Sequence, residues 1–540
     1  MRSITWKRVA VATTVLSLLS LGSAPSHAAD AKGIKGGGQD ASKGVVDSLW
    51  GDDDTREGKQ AAAGPGAWDA SKDLGSMDAL TKAVGAQSAW AQGVTGKDVT
   101  VALIDTGVAP VRGLDGDKKV VDGPDLSFEG QTPGTRYVDG YGHGTHMAGI
   151  IAGEDKGFDP KRPDAASFSG VAPDATLLNM KVASGDGGAD VSQVIAAIDW
   201  VVEHRADRGM HVRVINLSYG TNSAQSWQVD PLARAVENAW NNGILVVAAA
   251  GNNGLDTPSL LMPAVDPHVL AVGAADHMGT EQTEDDVVAD FTNGGNLARH
   301  ADLLAPGKSV VSLRVPSSYV DMTHPEGRVP QGQRFFRGSG TSQAAAVVAG
   351  EAALLFQAQP KLTPDQAKAV LMQTSSPLSA GGFAQGEGVA EVGAAVTLLK
   401  SRTNLPTVRS AAPASSGLGS LEAARGGEHV VDPQNGSVLE GEVDAQGAVW
   451  NPREWVDGQN AHTGWAKGVW NTRVWAGTKW DDQQLRAAAW TGMSWSGVPW
   501  TAQTWSGDEW LARSWRGGDW EARSWREDSW EARSWRAILR

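Results

Sequence analysis

The fold is decided by residues 101–108, Val-Ala-Leu-Ile-Asp-Thr-Gly-Val, where four apolar residues precede an aspartate and a turn. A short apolar run that ends in a turn is typical of a buried strand, and here it predicts a strand over 99–104. Similar runs occur at 176–182, 212–217, 244–250 and 269–274. Amphipathic helical segments separate them. Strands that alternate with helices predict an α/β fold with a parallel sheet covered on both faces.

Polar residues follow three of these strands. Asp105 ends the first, Ser218 follows the third and Asn252 follows the fourth. In parallel sheets, active sites gather at the carboxyl ends of the strands. The sequence therefore predicts a functional site at this edge of the sheet.

Three further segments complete a set of reactive residues: Gly-His-Gly-Thr-His-Met-Ala-Gly (142–149), Val-Val-Ala-Ala-Ala-Gly-Asn-Asn-Gly (246–254) and Gly-Thr-Ser-Gln-Ala (340–344). With residues 101–108 they supply an acid, a base, an amide donor and a nucleophile. Acyl transfer by a serine hydrolase requires this set of groups.

In this order, the four segments resemble the motifs of the subtilisin family of serine peptidases, and the resemblance runs from residue 76 to residue 400. It implies a three-layer α/β fold and endopeptidase activity. It also implies that Asp105 orients His143, that His143 is the general base and that Ser342 is the nucleophile. Asn252 would donate its side-chain amide to the oxyanion.

The resemblance also predicts the substrate-binding residues. Ser218, Tyr219 and Gly220 would form one edge of the cleft, and the segment around Gly187 the other, so that a peptide is added between them as a strand. The pocket for the residue before the cut would include Gly251 and Leu261.

No cofactor is required for this chemistry, although structural calcium is possible. The candidate ligands are acidic residues that follow the first strand: Asp115, Asp117, Asp122 and Asp125. A solvated acidic loop is the alternative interpretation of the same residues.

Composition limits the possible partners. The formal net charge of -15 argues against nucleic acid, because phosphate binding needs a basic face. The chain has no cysteine, which excludes disulfides, a thiol nucleophile and thiolate metal sites. The expected partner is a protein or peptide substrate.

The N-terminus has the pattern of a secretory signal. Arg2, Lys7 and Arg8 precede an apolar stretch over 9–21, and small residues end at Ala28. We expect residues 1–28 to be removed, no transmembrane segment in the mature chain, and an extracellular location. Residues 29–75, rich in glycine and aspartate, are expected to be a flexible leader or a short pro-segment.

Two regions follow the predicted peptidase domain. Residues 401–445 are expected to be a linker, and residues 446–540 a repeat module in which sixteen tryptophans lie on a five-residue grid between Trp450 and Trp535. A meander of three-residue strands, a square β-solenoid and a mostly disordered tail are the candidate structures. Exposed rings would suit a glycan or cell-wall polymer, whereas buried rings would be the core of the module.

The sequence thus predicts a secreted, subtilisin-like serine endopeptidase with an accessory module. One alternative is a wall- or glycan-binding protein that keeps the peptidase domain as a scaffold. Another is a processing peptidase dedicated to one precursor.

Overall fold

The computed structural model describes residues 68–475, apart from 131–135, 279, 281–284, 330–333, 380–381, 428, 432–436 and 467, together with residues 501–502. The predicted signal peptide, most of the predicted leader and the tryptophans from Trp480 onward lie outside the described residues.

A twisted sheet forms the centre of the described structure. Its strands are β1 (Thr100–Asp105), β2 (Val120–Asp122), β3 (Thr176–Lys181), β4 (Val212–Leu217), β5 (Leu245–Ala249), β6 (Leu270–Asp276), β7 (Val287–Val288) and β8 (Leu303–Pro306). The strand order is β2-β3-β1-β4-β5-β6-β7, and β8 also pairs with β6. All pairs are parallel except β6 with β7.

The five predicted strands correspond to β1, β3, β4, β5 and β6, so the parallel α/β sheet is confirmed. Every residue of β1, β5 and β6 is buried. Because successive side chains of a strand point to opposite faces, this burial means that both faces are covered. A separate antiparallel pair joins β9 (Val310–Leu313) to β10 (Phe335–Gly338).

The helices of the peptidase region are α1 (Met77–Ala83), α2 (Ala86–Ala91), α3 (His143–Ala152), α4 (Val191–His204), α5 (Pro231–Asn241), α6 (Tyr319–Thr323), α7 (Thr341–Ala358), α8 (Pro364–Thr374) and α9 (Val392–Ser401). Asp190 caps α4 in a capping box with Gln193, and Asp230 caps α5 just before Pro231. Such caps satisfy amide groups that a helix leaves unpaired at its start. The long helix α7 packs against β4, β5 and β6 and is almost entirely buried.

The segment after α9 differs from the linker expected over 401–445. The Ser415 N–H donates to both carboxylate oxygens of Glu237, at 2.8 and 3.0 Å, and the Ser415 hydroxyl donates to the Asp230 carbonyl at 3.0 Å. Farther along, the fully buried Arg425 guanidinium donates to Asp190 at 2.6 Å. We call residues 402–475 the C-terminal strap, because their contacts tie them to α4 and α5.

The strap contains α10 (Leu421–Arg425), α11 (Pro452–Asn460) and three short strands, β11 (Val430–Val431), β12 (Val469–Trp470) and β13 (Arg473–Val474). Strand β11 pairs with β14 (Thr501–Ala502). Strands β12 and β13 form a hairpin across the two-residue turn Asn471-Thr472, where both residues have positive φ. This hairpin has a two-residue turn, as in the predicted meander, but its strands have two residues instead of three and Trp470 lies opposite Arg473. The helix α11 does not fit the meander.

Five tryptophans of the grid are buried in the same hydrophobic core as the peptidase sheet: Trp450, Trp455, Trp465, Trp470 and Trp475. The rings of Trp450, Trp455, Trp470 and Trp475 also contact one another, and those of Trp450 and Trp455 have centroids 5.0 Å apart. A buried ring cannot stack on a polymer in solution. These five tryptophans are therefore core residues that attach the strap to the peptidase domain.

The buried carboxylate of Asp199, on α4, is the polar centre of this attachment. Its Oδ2 accepts hydrogen bonds from the indole N–H groups of Trp455 at 2.7 Å and Trp470 at 2.8 Å. Its Oδ1 accepts one from the Gln459 amide at 2.7 Å. The Trp465 indole donates to the Ala196 carbonyl at 2.8 Å. A buried tryptophan N–H usually finds an acceptor, and α4 supplies acceptors for the indoles of Trp455, Trp465 and Trp470.

From the environment of Asp199 we predict how the free energy of unfolding depends on pH. Burial raises its pKa to about 6 despite the three N–H donors. The pKa of Asp199 is higher in the folded protein than in the unfolded chain. Protonated Asp199 therefore contributes fully to the free energy of unfolding below the unfolded pKa, and this contribution is lost as the pH rises through 6. Relative to Asp199→Asn, the wild type should lose about 3 kcal/mol of unfolding free energy between pH 3.5 and pH 7.5.

Urea unfolding of both inhibitor-blocked proteins at several pH values would measure this difference. Because the two proteins share every other titrating group, the difference between their unfolding free energies reports on Asp199 alone. A wild type that instead gains relative stability as the pH rises would show that the indole donors outweigh burial.

Candidate active site

Asp105 and His143 form the first part of the site. Asp105 is the last residue of β1, and His143 is the first residue of α3. His143 Nδ1 lies 2.8 Å from Asp105 Oδ1, which also accepts the Thr106 N–H at 2.7 Å. Burial raises the pKa of Asp105, and the adjacent His143 opposes that shift. A carboxylate in this position holds the imidazole in the tautomer that carries its proton on Nδ1.

Sequence reasoning missed Asp139, which is fully buried. Its Oδ1 accepts from the Gly142 N–H at 2.6 Å and from the Thr106 hydroxyl at 2.8 Å, and its Oδ2 accepts from the Thr145 N–H at 2.8 Å. Asp139 thus fixes the start of α3, where His143 lies, to the end of β1. An aspartate shortly before a helix is a capping signal, and that signal could have identified it.

The second histidine of the motif, His146, lies one turn along α3 and is buried. Its Nε2 lies 3.1 Å from the Phe336 carbonyl, and burial lowers its pKa to about 3. A histidine enclosed in this way cannot exchange a proton with a substrate in the cleft. This environment suits a structural role for His146.

Ser342 is the second residue of α7 and is partly exposed. Its hydroxyl donates to the Ser218 carbonyl at 3.5 Å, and the Ser218 hydroxyl donates to the Ser342 carbonyl at 3.1 Å. The end of β4 and the start of α7 are therefore in direct contact. Unpaired amides and the positive end of the helix dipole lie at the start of α7, which favours a developing negative charge there.

Asn252 lies beside the start of α7. Its Oδ1 accepts the Thr341 N–H at 2.8 Å and the Thr341 hydroxyl at 2.9 Å. A backbone N–H can be paired only with the carbonyl oxygen of an asparagine, so these bonds fix the orientation of the amide. The Nδ2 group is left to donate elsewhere. Thr341 was not predicted, although it adjoins the proposed nucleophile.

The predicted substrate-binding residues form two groups. Gly220 and Gly251 both lie against Leu261: a Cβ atom at Gly220 would be 2.7 Å from Leu261 Cβ, and one at Gly251 would be 2.8 Å from Leu261 Cγ. Thr221 and Met262 pair as an antiparallel bridge next to them. The packing against Leu261 therefore requires glycine at positions 220 and 251, and Ser218 and Tyr219 directly precede Gly220 in the chain.

Gly187 belongs to the second group. It has a φ of +83°, and a Cβ atom there would lie 2.8 Å from the ring of Tyr141. Tyr141 is two residues from His143 and stacks on Tyr319, with ring centroids 5.6 Å apart. The segment around Gly187 therefore lies next to the loop that precedes His143.

The candidate calcium ligands do not converge among the described residues. Asp115 and Asp117 are exposed, Asp122 accepts from the Asn179 amide at 2.9 Å, and Asp125 is buried with Ser127. The exposed pair matches the solvated loop that was the alternative interpretation. The other two carboxylates serve as local acceptors.

Asn252 provides a prediction at this site. Replacing it by alanine should lower kcat by about 10²–10³ with little change in KM, the loss found when a subtilisin loses its oxyanion-hole asparagine. Asn253→Ala is the matched control, because it removes a neighbouring amide and should retain most of the turnover. Steady-state kinetics on a peptide anilide would test both. A similar loss in the two variants would show that the turn, and not the amide, is what matters.

The fold and this site define a class of protein, and comparison with known proteins agrees. The subtilase family model matches residues 96–400. The chain therefore belongs to the subtilase family, and it is a serine endopeptidase of the subtilisin type.

Individual relatives support the same assignment. The chain is 36% identical over 303 residues to the serine protease AprX of Bacillus subtilis (strain 168), a match that covers 55% of this chain and 65% of AprX, slightly less than two thirds. It is 33% identical over 307 residues to subtilisin DY of Bacillus licheniformis, covering 56% of this chain and 93% of that protein. Subtilisin Savinase of Lederbergia lenta is 33% identical over 301 residues, covering 55% and 90%. In the described part of the chain, no helix has the length and apolarity needed to cross a membrane.

Proposed function

We propose that the protein is a secreted endopeptidase that hydrolyses peptide bonds through Asp105, His143 and Ser342, with Asn252 as an oxyanion donor. The observation that carries the proposal is the 2.8 Å contact between His143 Nδ1 and Asp105 Oδ1, at the same sheet edge as the start of α7. With the Nδ1 proton directed to Asp105, Nε2 is the nitrogen that accepts the proton of Ser342.

The chemical steps follow from these positions. Ser342 Oγ attacks the carbonyl carbon of the scissile bond while His143 takes its proton. The negative oxygen that forms is stabilised by the amides at the start of α7 and by Asn252 Nδ2. His143 then protonates the leaving amine, and water repeats the sequence on the acyl-enzyme to release the acid.

We propose that substrates bind as an added strand between the Ser218–Gly220 wall and the segment around Gly187. This mode relies on hydrogen bonds to the substrate backbone, and it therefore accepts many sequences. Its permissiveness favours a general protein-degrading role over a dedicated processing role. Turnover of casein, an unstructured protein, separates the two. Rapid and widespread cleavage supports the general peptidase, and cleavage of a short propeptide-like substrate without casein turnover supports the dedicated one.

For the whole chain we propose a signal peptide over 1–28, a leader or pro-segment over 29–75, a peptidase domain over 76–400 and a tryptophan-rich region over 446–540. The pattern of a secretory signal at the N-terminus supports the proposed extracellular location. Binding of a glycan or cell-wall polymer now depends on the tryptophans from Trp480 onward, because the five that are described are buried. Those later residues lie outside the described part of the chain.

From the position of Leu261 we predict which substrate residues the enzyme prefers immediately before the scissile bond. Its branched side chain is buried against Gly220 and Gly251, so it shortens the pocket that these glycines line. We expect small or medium residues to be preferred over phenylalanine and tyrosine. Leu261→Ala should raise the relative kcat/KM for phenylalanine by about tenfold or more. Cleavage profiling of a peptide library would test this, and a wild-type profile dominated by large aromatic residues would contradict it.

A further inference from the structure

A second cluster of titratable side chains lies at the join between the strap and α5. It consists of Glu237 on α5 together with Asp266 and His268, which precede β6. One ligand atom of each residue lies within 4.8 Å of the others. Glu237 and Asp266 are buried, and Asp266 has no exposed surface. None of the three belongs to the proposed catalytic set.

The hydrogen bonds of His268 leave one nitrogen directed at two carboxylates. Its Nε2 lies 3.1 Å from the Ala412 carbonyl, and since a carbonyl can only accept, Nε2 carries a proton. Its Nδ1 lies 2.9 Å from Asp266 Oδ1 and 3.4 Å from Glu237 Oε1. Three groups that can all donate electron pairs thus meet at one point. A histidine that ligates a metal commonly donates its other N–H to a carbonyl, as His268 does.

Asp266 supplies a second, independent observation. Its Oδ1 accepts the His268 main-chain N–H at 2.9 Å, but its buried Oδ2 has no hydrogen-bond partner. A buried carboxylate oxygen without a partner is expensive unless a cation is bound nearby.

The neighbouring cationic side chains have other partners. Arg299 donates to the main-chain carbonyl of Asp266 and to the Asp302 carboxylate. Lys368 donates to the Val269 carbonyl at 2.8 Å and lies 3.0 Å from Asp302. Arg234 donates to Gln459 and Asn460 of the strap. Arg234 and Lys368 therefore act on the Glu237 and Asp266 carboxylates only through longer-range attraction, and a cation in direct contact with them would be an ion from solution or the proton of His268.

We propose that this cluster binds one zinc ion through His268 Nδ1, an Asp266 carboxylate oxygen and Glu237 Oε1, with water as the fourth ligand. A tetrahedral ion with bonds of about 2.0–2.2 Å separates its ligand atoms by roughly 3.3–3.6 Å. The distance of 3.4 Å from Nδ1 to Glu237 matches this separation, and the distance of 2.9 Å to Asp266 needs only a small opening. Calcium is disfavoured because it takes six to eight oxygen ligands.

The zinc ion would join two segments directly and a third through hydrogen bonds. Glu237 also binds the Ser415 N–H, and His268 binds the Ala412 carbonyl, so the ion would hold the beginning of the strap against α5 and the segment before β6. Its role would be structural, because the cluster contains no member of the proposed catalytic set.

The experiment uses the purified full-length protein, blocked at its active site with a fluorophosphonate and freed of metal with a chelator. Zinc chloride is titrated at pH 7.5 against a competing chromophoric chelator. We expect one zinc ion per chain with a Kd of about 1 μM or tighter, and a rise in Tm on zinc addition. Glu237→Gln, which keeps an acceptor for Ser415, should weaken binding by at least about tenfold. His429→Gln is the matched control, since it removes a histidine that is paired with a carboxylate elsewhere in the strap, at 2.8 Å from Glu422.

Two outcomes would overturn the proposal: no zinc bound at 100 μM, or binding that Glu237→Gln leaves unchanged. If Glu237→Gln does not fold, Asp266→Asn provides the same comparison, and X-ray absorption of the wild type would report whether one nitrogen and oxygen ligands surround the ion. Calcium that binds more tightly than zinc would also count against it. A wild type that binds no zinc but loses stability as His268 deprotonates would identify the proton as the occupant.

Discussion

The Ser342→Ala variant is expected to hydrolyse peptide substrates about 10⁶-fold more slowly than the wild type, the loss that subtilisin itself shows without its serine. The reason is that the acyl-enzyme can no longer form, and the remaining donors stabilise only direct attack by water. Ser339→Ala, which removes a buried hydroxyl three residues earlier, is the matched control and should keep its activity. A Ser342→Ala protein that remained active would show that another residue is the nucleophile.

Asp105→Asn should complement this result with a loss of about 10⁴ in kcat. The asparagine amide would donate to His143 Nδ1, so the imidazole would carry its proton on Nε2 and could not accept one from Ser342. Covalent labelling by a fluorophosphonate should slow in parallel. Equal labelling rates in the variant and the wild type would exclude Asp105 from activation of the serine.

The second large effect concerns the strap. A chain that ends at Gly427 should fail to fold or should unfold at ambient temperature, because it lacks all five buried tryptophans that pack against the peptidase core. It would also lack the three side chains that donate hydrogen bonds to Asp199. Each lost core tryptophan costs about 3–5 kcal/mol, and the total stability of a domain is about 5–15 kcal/mol.

A chain that ends at Ala476 is the matched control. It removes the eleven later tryptophans of the grid but keeps the five that are buried. We expect it to fold and to retain peptide turnover, as measured by thermal unfolding and by hydrolysis of a peptide anilide. Full activity in the Gly427 protein would instead show that the strap is a removable layer, which is what the linker interpretation of 401–445 predicted.

The sheet and the residues at its edge could be predicted from the sequence because the patterns that indicate them are local. Apolar runs define β1, β4 and β5, and short polar motifs follow each of these strands. The order of those motifs supplied the proposed roles of Asp105, His143, Asn252 and Ser342. Periodicity alone predicts strands and helices, whereas the resemblance to subtilisins predicts a role for each of these residues.

The strap could not be predicted in the same way because it contacts residues that are distant in the sequence. Arg425 pairs with Asp190, 235 residues earlier, and Trp470 with Asp199, 271 residues earlier. Small residues around Ser415 show no apolar period, although their backbone approaches α5 closely. The five-residue spacing of the tryptophans suggests a regular repeat, whereas Trp455, Trp465 and Trp470 are positioned by hydrogen-bond acceptors of α4.

The most direct test is to identify the residue that a fluorophosphonate modifies. The secreted protein would be treated with the reagent, digested with a second protease and analysed by tandem mass spectrometry. We expect a single adduct on Ser342, and its formation should be lost when His143 is replaced by alanine. An adduct on another serine, or none on an otherwise folded and active protein, would contradict the proposed catalytic mechanism.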